Sequence, residues 1–600
     1  MKIDEMVQLI NFFNKAPMAD ETNKVDFAKL NQKAVKYGYL IHPDCCNKYV
    51  YNWLDTLTFD YNATFYKEWK DILSKNRFEL FVDQMMHYIT TYGQNFECDG
   101  NGYVPNSGSE RIAFDNLKVI LPISNLEIYE RCLDVLTSGV ALKNYTMKCM
   151  CNFIIEHSHH NISFNILNSI KNKEAQAYIA CAINVMPTDE FAILRCLLYR
   201  YTESCLIIKN KKTINSIRLE GGDYNNYFSA MTDKNLEALS RIFYRFKPLF
   251  LAFKNKKNAK VINKIRKLAK RFHTPLKTGF WEDVISQKKD FNDVINHIME
   301  VDNFKKVKLL QAVKVALYSN ENSKTYNIRN GKIFTRIGYK PNYDKEYLKR
   351  LEVIIETALV HCLKEKACKV HLPSEYNITL PSSEKSFVGN YPFGSNIKFN
   401  KNAVIGIYWK NEWGTNDFDL SLVDFNGLRF GWNSTYNANG IVYSGDMTNA
   451  APHAVETFYI PNKCDDCMVM VNQYRGESKS KFRFFIAEEK KPASDIYGRM
   501  VDPNNIRLDT MIDVNEEIQK TIGFIHDNSL YFMDLHSGGR IVSSVKDYHL
   551  EFIKTMGERT KCFVDLRTIL SKAGFEFVDE TDCEINFKNL EKDALIKLLV

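Results

Sequence analysis

Near Leu380 the hydrophobic period of this chain changes from three or four residues to two, which restricts the fold to a helical part followed by a sheet part. A helix returns its apolar side chains to one face every 3.6 residues, whereas a strand alternates them between two faces. Before the change, apolar residues recur at helical steps in Phe78–Thr90, Glu127–Thr137, Leu142–Glu156, Ala175–Ile183, Phe191–Tyr201, Asn235–Phe246, Ala259–Phe272, Asn303–Tyr318 and Tyr347–Leu363. The opening MKIDEMVQLINFFNK reads the same way. Polar breaks such as Pro187-Thr188-Asp189-Glu190 fit helix starts, with Thr188 or Asp189 as the N-cap. Helices of about a dozen residues on short turns predict a HEAT-like solenoid. No fixed-period repeat accompanies them, so an irregular bundle satisfies the same pattern.

After the change, short strands are expected at Ala403–Trp409, Phe418–Asp424, Leu428–Trp432, Gly440–Ser444, Ala454–Tyr459, Met468–Asn472 and Phe482–Ala487. Asn426-Gly427, Asn439-Gly440, Pro461-Asn462 and Gly476 supply turns between them, a spacing that predicts an antiparallel β-sandwich. The expected class is α+β, with four parts. Residues 1–100 form an N-terminal helical domain and 110–375 a helical array; 380–490 form the sandwich and 515–600 a small mixed α/β tail. The tail contains strands at Thr521–Ile525 and Ser529–Met533 and helices near Asp547–Gly557 and Asp565–Ala573. Two interruptions mark the helical part. Phe96–Arg111 is rich in Gly, Asn, Ser and Pro and reads as a loop, and Asn330-Gly331 between β-prone runs predicts a hairpin near 325–338.

Composition narrows the class of function. An apolar share of 45% and a charged share of 25% are those of an ordinary globular chain, with material for several cores. Fifteen cysteines, an odd number set in apolar segments, fit buried thiols in a reduced compartment better than a disulfide framework. No secretory leader pattern and no run of about 18 apolar residues is present, so a cytoplasmic protein off the membrane is expected. Abundant Lys, Asn and Ile fit an AT-rich genome, bacterial or phage.

Carboxylates and amides punctuate the strand-rich part in a fixed order. Asp417-Phe418-Asp419-Leu420-Ser421 is followed by Phe430-Gly431-Trp432-Asn433, then Gly440-Ile441-Val442-Tyr443-Ser444-Gly445-Asp446-Met447-Thr448, then Glu456 before Thr457-Phe458-Tyr459-Ile460. Oxygen-bearing side chains at one rim of a sandwich suit a hard cation. The order resembles the TerD-like domain of bacterial tellurite-resistance and stress-response proteins over about 396–489. The resemblance implies a calcium site made by Asp417, Asp419, Asn433, Asp446 and Glu456. The family's Gly/Asp-rich acidic loop is replaced here by Met447–Val455, leaving Glu456 as its one carboxylate, so the implied site is a weak one. The bland alternative is that Asp446 and Asn433 bond the turn backbone in a metal-free interaction module. Trp409, Trp413 and Trp432 flank the rim, as core aromatics or, if exposed, as a partner surface.

A second constellation lies in the array. Across Lys260–Phe272, Val261, Ile265, Leu268 and Phe272 fall on one face and Lys260, Lys264, Lys267, Lys270 and Arg271 on the others. Such a ridge can neutralise phosphates, RNA ahead of DNA, or it can simply be a solvated face. Cys149-Met150-Cys151 with His157 has poor chelating geometry on a helix. Cys464-Asp465-Asp466-Cys467 is a lone pair in a turn. Asp534, His536 and Ser537 lie together without triad geometry being implied. The reading is a non-enzymatic scaffold or interaction protein of a stress-response or phage-associated system, with protein partners. The alternatives are an RNA-binding protein and a hydrolase near His536.

Overall fold

Capping side chains set where the helices begin. The computed structural model describes residues 1–57, 74–92, 117–158, 164–219, 227–228, 230–318, 323–327, 333–337, 343–399, 402–424, 426–432, 434–448, 450, 453–476, 479–489, 505–515, 519–535, 559, 562–588 and 590–600. Asp189, not Thr188, caps Glu190–Thr202, its carboxylate accepting the Ala192 amide. Asn172 caps Lys173–Ala182 and Asp344 caps Lys345–Lys364 in the same manner. Each cap satisfies an amide that the helix cannot, which stabilises its start by about 1 kcal/mol. The other expected helices stand at Ile3–Phe13, Arg77–Tyr92, Asn125–Thr137, Asn144–His157, Asp233–Ile242, Ala259–Phe272 and Asn303–Tyr318.

Successive helices pack on one another: Asn125–Thr137 on Asn144–His157, that helix on Lys173–Ala182, then Glu190–Thr202, Asp233–Ile242 and Ala259–Phe272 in turn. Their apolar faces feed two cores. Ile193, Leu197, Phe243, Phe250 and Ile265 belong to one, while the other runs from the first helix into the sandwich and on to the last helix. The helical expectation needs one correction. Lys15–Pro17, Tyr39–Ile41 and Lys118–Ile123 form a small parallel sheet with the last strand central. Strands of three to six residues are too short to show their period among helices. The expected hairpin is present, Ser323–Asn327 against Ile333–Ile337. Its Asn330-Gly331 turn, and the loop expected at 96–111, lie outside the described residues.

Among the described residues, thirteen strands build the sandwich. The first seven are β1 Tyr376–Asn377, β2 Asn396–Lys398, β3 Asn402–Lys410, β4 Asn416–Asp424, β5 Arg429–Phe430, β6 Asn437–Ala438 and β7 Ile441–Tyr443. The other six are β8 His453–Ile460, β9 Cys467–Gly476, β10 Lys479–Glu489, β11 Ile506–Asn515, β12 Gln519–His526 and β13 Ser529–Leu535. One sheet has the order β5-β4-β9-β12-β13-β2-β1 and the other β6-β7-β8-β3-β10-β11. Every sequence-expected strand is among them, and β6 and β7 turn through Asn439 and Gly440, both at positive φ as a two-residue hairpin demands. Edge-to-face rings join the sheets: Trp409 on Phe418 at 5.9 Å, Phe418 on Phe482 at 5.3 Å and Phe484 on Phe532 at 6.4 Å.

The sandwich is longer than the expected 380–490. β11 to β13 pair into its sheets, so the two strands assigned to a separate tail are interior sandwich strands. What remains is mixed as expected, with helices Leu566–Ala573 and Lys592–Leu599. Its strands Glu576–Phe577 and Ile585–Asn586 flank Lys369–His371 in a parallel sheet, which ties the tail to the end of the helical part. The helix expected near 547–557 lies outside the described residues.

Glu384 pins the three parts together. Fully buried, its carboxylate accepts the Lys143 amide, the Thr146 hydroxyl at 3.4 Å and the Lys592 ammonium at 3.4 Å, while its own amide donates to the Ala141 carbonyl at 3.0 Å. Burial, with Lys143 adding, pushes the Lys592 ammonium below its usual pKa, and Glu384 opposes that shift.

Candidate metal centre

Pleat geometry brings Asp417 and Asp419 to one face of β4, because residues two apart in a strand point the same way. Phe418, between them, faces the opposite sheet through its ring contacts. Asp446 comes from the loop after β7. The three aspartates are buried, and their ligand oxygens lie within 4.8 Å of one another. Among the described residues this is the one group of three or more His, Cys, Asp and Glu side chains so gathered.

Glu456 on β8 is fully buried and braces this group. One of its oxygens accepts the Leu420 amide at 2.7 Å and the other the Met447 amide at 3.0 Å. The strand that carries Asp419 and the loop that carries Asp446 are thereby fixed to one carboxylate. Burial holds the Glu456 pKa well above the usual range, Asp446 and Asp419 push it further, and the two amides oppose them. Glu456 is therefore placed as a positioning residue beside the triad. Arg429 supplies the compensating charge. Its guanidinium is buried, donates to Ser421 Oγ at 3.1 Å and is attracted to Asp419, while burial draws its pKa down.

Asn472 is a candidate oxygen donor that no sequence motif marks. It stands opposite Asp419 in the β4–β9 register, hence on the same face, is 4% exposed, and its Oδ1 has no hydrogen-bond partner. No local motif marks it; the signal exists only once the two strands are paired. Asn433 lies outside the described residues. Trp409 and Trp413 are buried, so they are core rather than partner surface, and Trp432 is half-buried.

An oxygen-only donor set of three carboxylates and an amide suits a hard cation. Two ionised carboxylates 4.8 Å apart repel by about 3.5 kcal/mol at an effective dielectric of about 20. Arg429 offsets part of that repulsion, and a divalent ion held by the three carboxylates would relieve more of it.

The other constellations stay apart. Cys149 and Cys151 are buried, with burial raising the Cys149 thiol to about 12, and His157 stacks on Phe153 at 3.9 Å. Cys464 and Cys467 share a hydrogen bond in the turn before β9. Asp534 pairs with Lys520 at 3.2 Å, and His536 and Ser537 lie outside the described residues. Lys260, Lys264, Lys267, Lys270 and Arg271 are all exposed on the Ala259–Phe272 helix. The buried stripe there is Ile262, Ile265 and Ala269, rotated from the expected one, with Val261, Leu268 and Phe272 half-buried beside it. No described helix is long and apolar enough to cross a membrane. Family models, curated proteins and solved structures contain no match to this chain.

Proposed function

We propose that the sandwich is a calcium-binding interaction module carried on a helical platform. The protein then acts by assembly rather than chemistry, within a cytoplasmic stress-response or phage-associated system. The observation that carries this reading is the convergence of Asp417, Asp419 and Asp446 in a buried site, with their oxygens within 4.8 Å. The order of the acidic motifs along the chain, which resembles that of TerD-like domains, supports it from the sequence side. Asp417, Asp419 and Asp446 would hold the ion, the Asn472 amide oxygen would complete the set, and Glu456 and Arg429 would position and balance it. A bound cation would add positive charge between Asp446 and the two aspartates of β4, and a partner would recognise the rim that Glu456 holds.

Isothermal titration of the full chain after chelator treatment tests the proposal. One calcium site is expected, weakened at least tenfold by Asp417→Ala or Asp446→Ala, which is about 1.4 kcal/mol or more. No heat at millimolar calcium, or heat unchanged in both variants, rejects it.

A further inference from the structure

Within the body formed around the second core, one continuous segment carries charge of one sign. Residues 241–277 contain thirteen Lys and Arg and not one Asp or Glu, and all thirteen are exposed. Among the described residues, Arg241 pairs with Glu237 at 3.2 Å and Lys264 with Asp233 at 2.6 Å; the other eleven have no carboxylate partner. A solvated face ordinarily interleaves both signs, so a patch with its acids removed is built for a polyanion.

The helix geometry narrows the kind of polyanion. At 100° per residue, Lys260, Lys264, Lys267 and Arg271 fall within an arc of about 60°, opposite the buried stripe, and span about 16 Å along the axis. A stacked nucleic-acid strand offers a phosphate every ~3.4 Å, so the ridge faces about five of them. Ile262, Ile265 and Ala269 are used in packing against Asp233–Ile242 and its neighbours, so the helix has no apolar face to lay in a bilayer. At the ridge's C-terminal end stands an exposed aromatic ring. The Tyr244 ring is 42% exposed and meets His273 edge-on at 5.0 Å, with the Thr274 amide bonded to the Arg241 carbonyl at 3.0 Å. Arg271 lies over the Phe272 ring at 5.1 Å. A row of cations ending on an exposed ring suits a single strand, because unstacked bases need a flat partner and duplex bases do not.

We infer that this surface binds single-stranded nucleic acid, with phosphates along Lys260, Lys267 and Arg271 and a base on Tyr244. This stands independently of the cation site.

Fluorescence polarisation of the full chain with a labelled oligouridine, the matching oligothymidine and a duplex of equal length tests it. About three phosphate contacts give a log–log salt slope near −2 for a single strand. Combined Lys260→Glu, Lys267→Glu and Arg271→Glu substitutions weaken binding about 100-fold or more and flatten the slope, with the melting temperature unchanged because the three side chains are exposed. If charge reversal lowers that temperature, the Gln set at the same positions replaces it. Tyr244→Ala weakens binding about 5- to 150-fold at an unaltered slope. Either single strand binding in this way supports the proposal, and a preference for the ribose strand adds 2′-hydroxyl recognition. Four results overturn it: no binding at about 50 mM salt, a salt-independent affinity, full affinity in the triple variant, or capture of phosphatidylserine vesicles or duplex in preference to both single strands.

Discussion

Replacing Asp446 with Asn separates a cation site from a structural turn, because the two readings give opposite signs in chelator. Asn keeps the shape and one accepting oxygen but removes a charge. Three ionised carboxylates within 4.8 Å make three repulsive pairs, and Asp446 belongs to two of them. At about 3.5 kcal/mol each, the removable repulsion reaches about 7 kcal/mol. Arg429 beside Asp419 lowers that bound, so a gain of about 1–2 kcal/mol is expected for the variant without calcium. With calcium at about 100 times its Kd, the parent chain gains about 2.7 kcal/mol and the variant little of it. For a body of roughly 150–250 residues each kcal/mol moves Tm by about 2–4 °C. Thermal melts followed by the β-sheet circular dichroism signal should therefore cross: Asp446→Asn melts above the parent in chelator and below it in calcium. A variant that melts lower by the same amount in both buffers would refute the cation reading and leave Asp446 as a turn residue.

Glu456→Gln places an amide where two backbone N–H groups need acceptors, so it should cost about 1–3 kcal/mol. Hydrogen exchange at Leu420 and Met447 should accelerate relative to Val469, and equal exchange would show that Glu456 is no brace. Gly523→Ala puts a Cβ 2.2 Å from the Tyr531 carbonyl oxygen, at the irregular β12–β13 pairing, and should lose about 1–3 kcal/mol in urea denaturation; a parental midpoint contradicts the close approach. Asp593 is held at about 6 against 3.8, because burial outweighs the attractions of Arg131 and Lys597. The native state thus binds that proton more tightly than the unfolded chain does. Stability from this group is highest below pH 3.8 and falls as pH rises through about 6, by up to about 3 kcal/mol. Asp593→Asn should flatten that part of the profile between pH 4 and 7, and an unchanged profile would assign the dependence elsewhere.

Periodicity located the helices and the longer strands because these run far enough for apolar residues to repeat, while β5 and β7, of two and three residues, are marked by the Asn-Gly turns that precede them. The strands at 15–17, 39–41 and 118–123 lack both marks, and β4 is legible for a different reason. All nine of its residues are buried, so the alternation that identifies a half-exposed strand is replaced by polar side chains held in an interior. Asp417 and Asp419 were legible as a pair because they are two apart, and Asp446 because a Gly-Asp turn precedes the next strand. Asn472 was not, since its neighbourhood with Asp419 depends on the β4–β9 register, a contact between residues more than fifty positions apart. The tail strands were found and misassigned for the same reason: sequence patterns mark a strand without naming the edge it joins. The helix ridge was visible in full, although its buried stripe is turned by one position, as Ile262 and Ala269 replace Val261 and Phe272 at its centre.

The carboxylate at Glu384 waits for a cation that lies 208 residues further along the chain. At a synthesis rate of roughly 5–20 residues per second, the ribosome takes about 10–40 s to cover that distance. Throughout that interval the nascent helical half holds an acid whose salt-bridge counterpart has not been made, and closing its junction early would strand a charge in oil. The helical half should thus mature late in translation, and chains arrested before Lys592 should be more readily cut by protease around residues 140–147 than the released product.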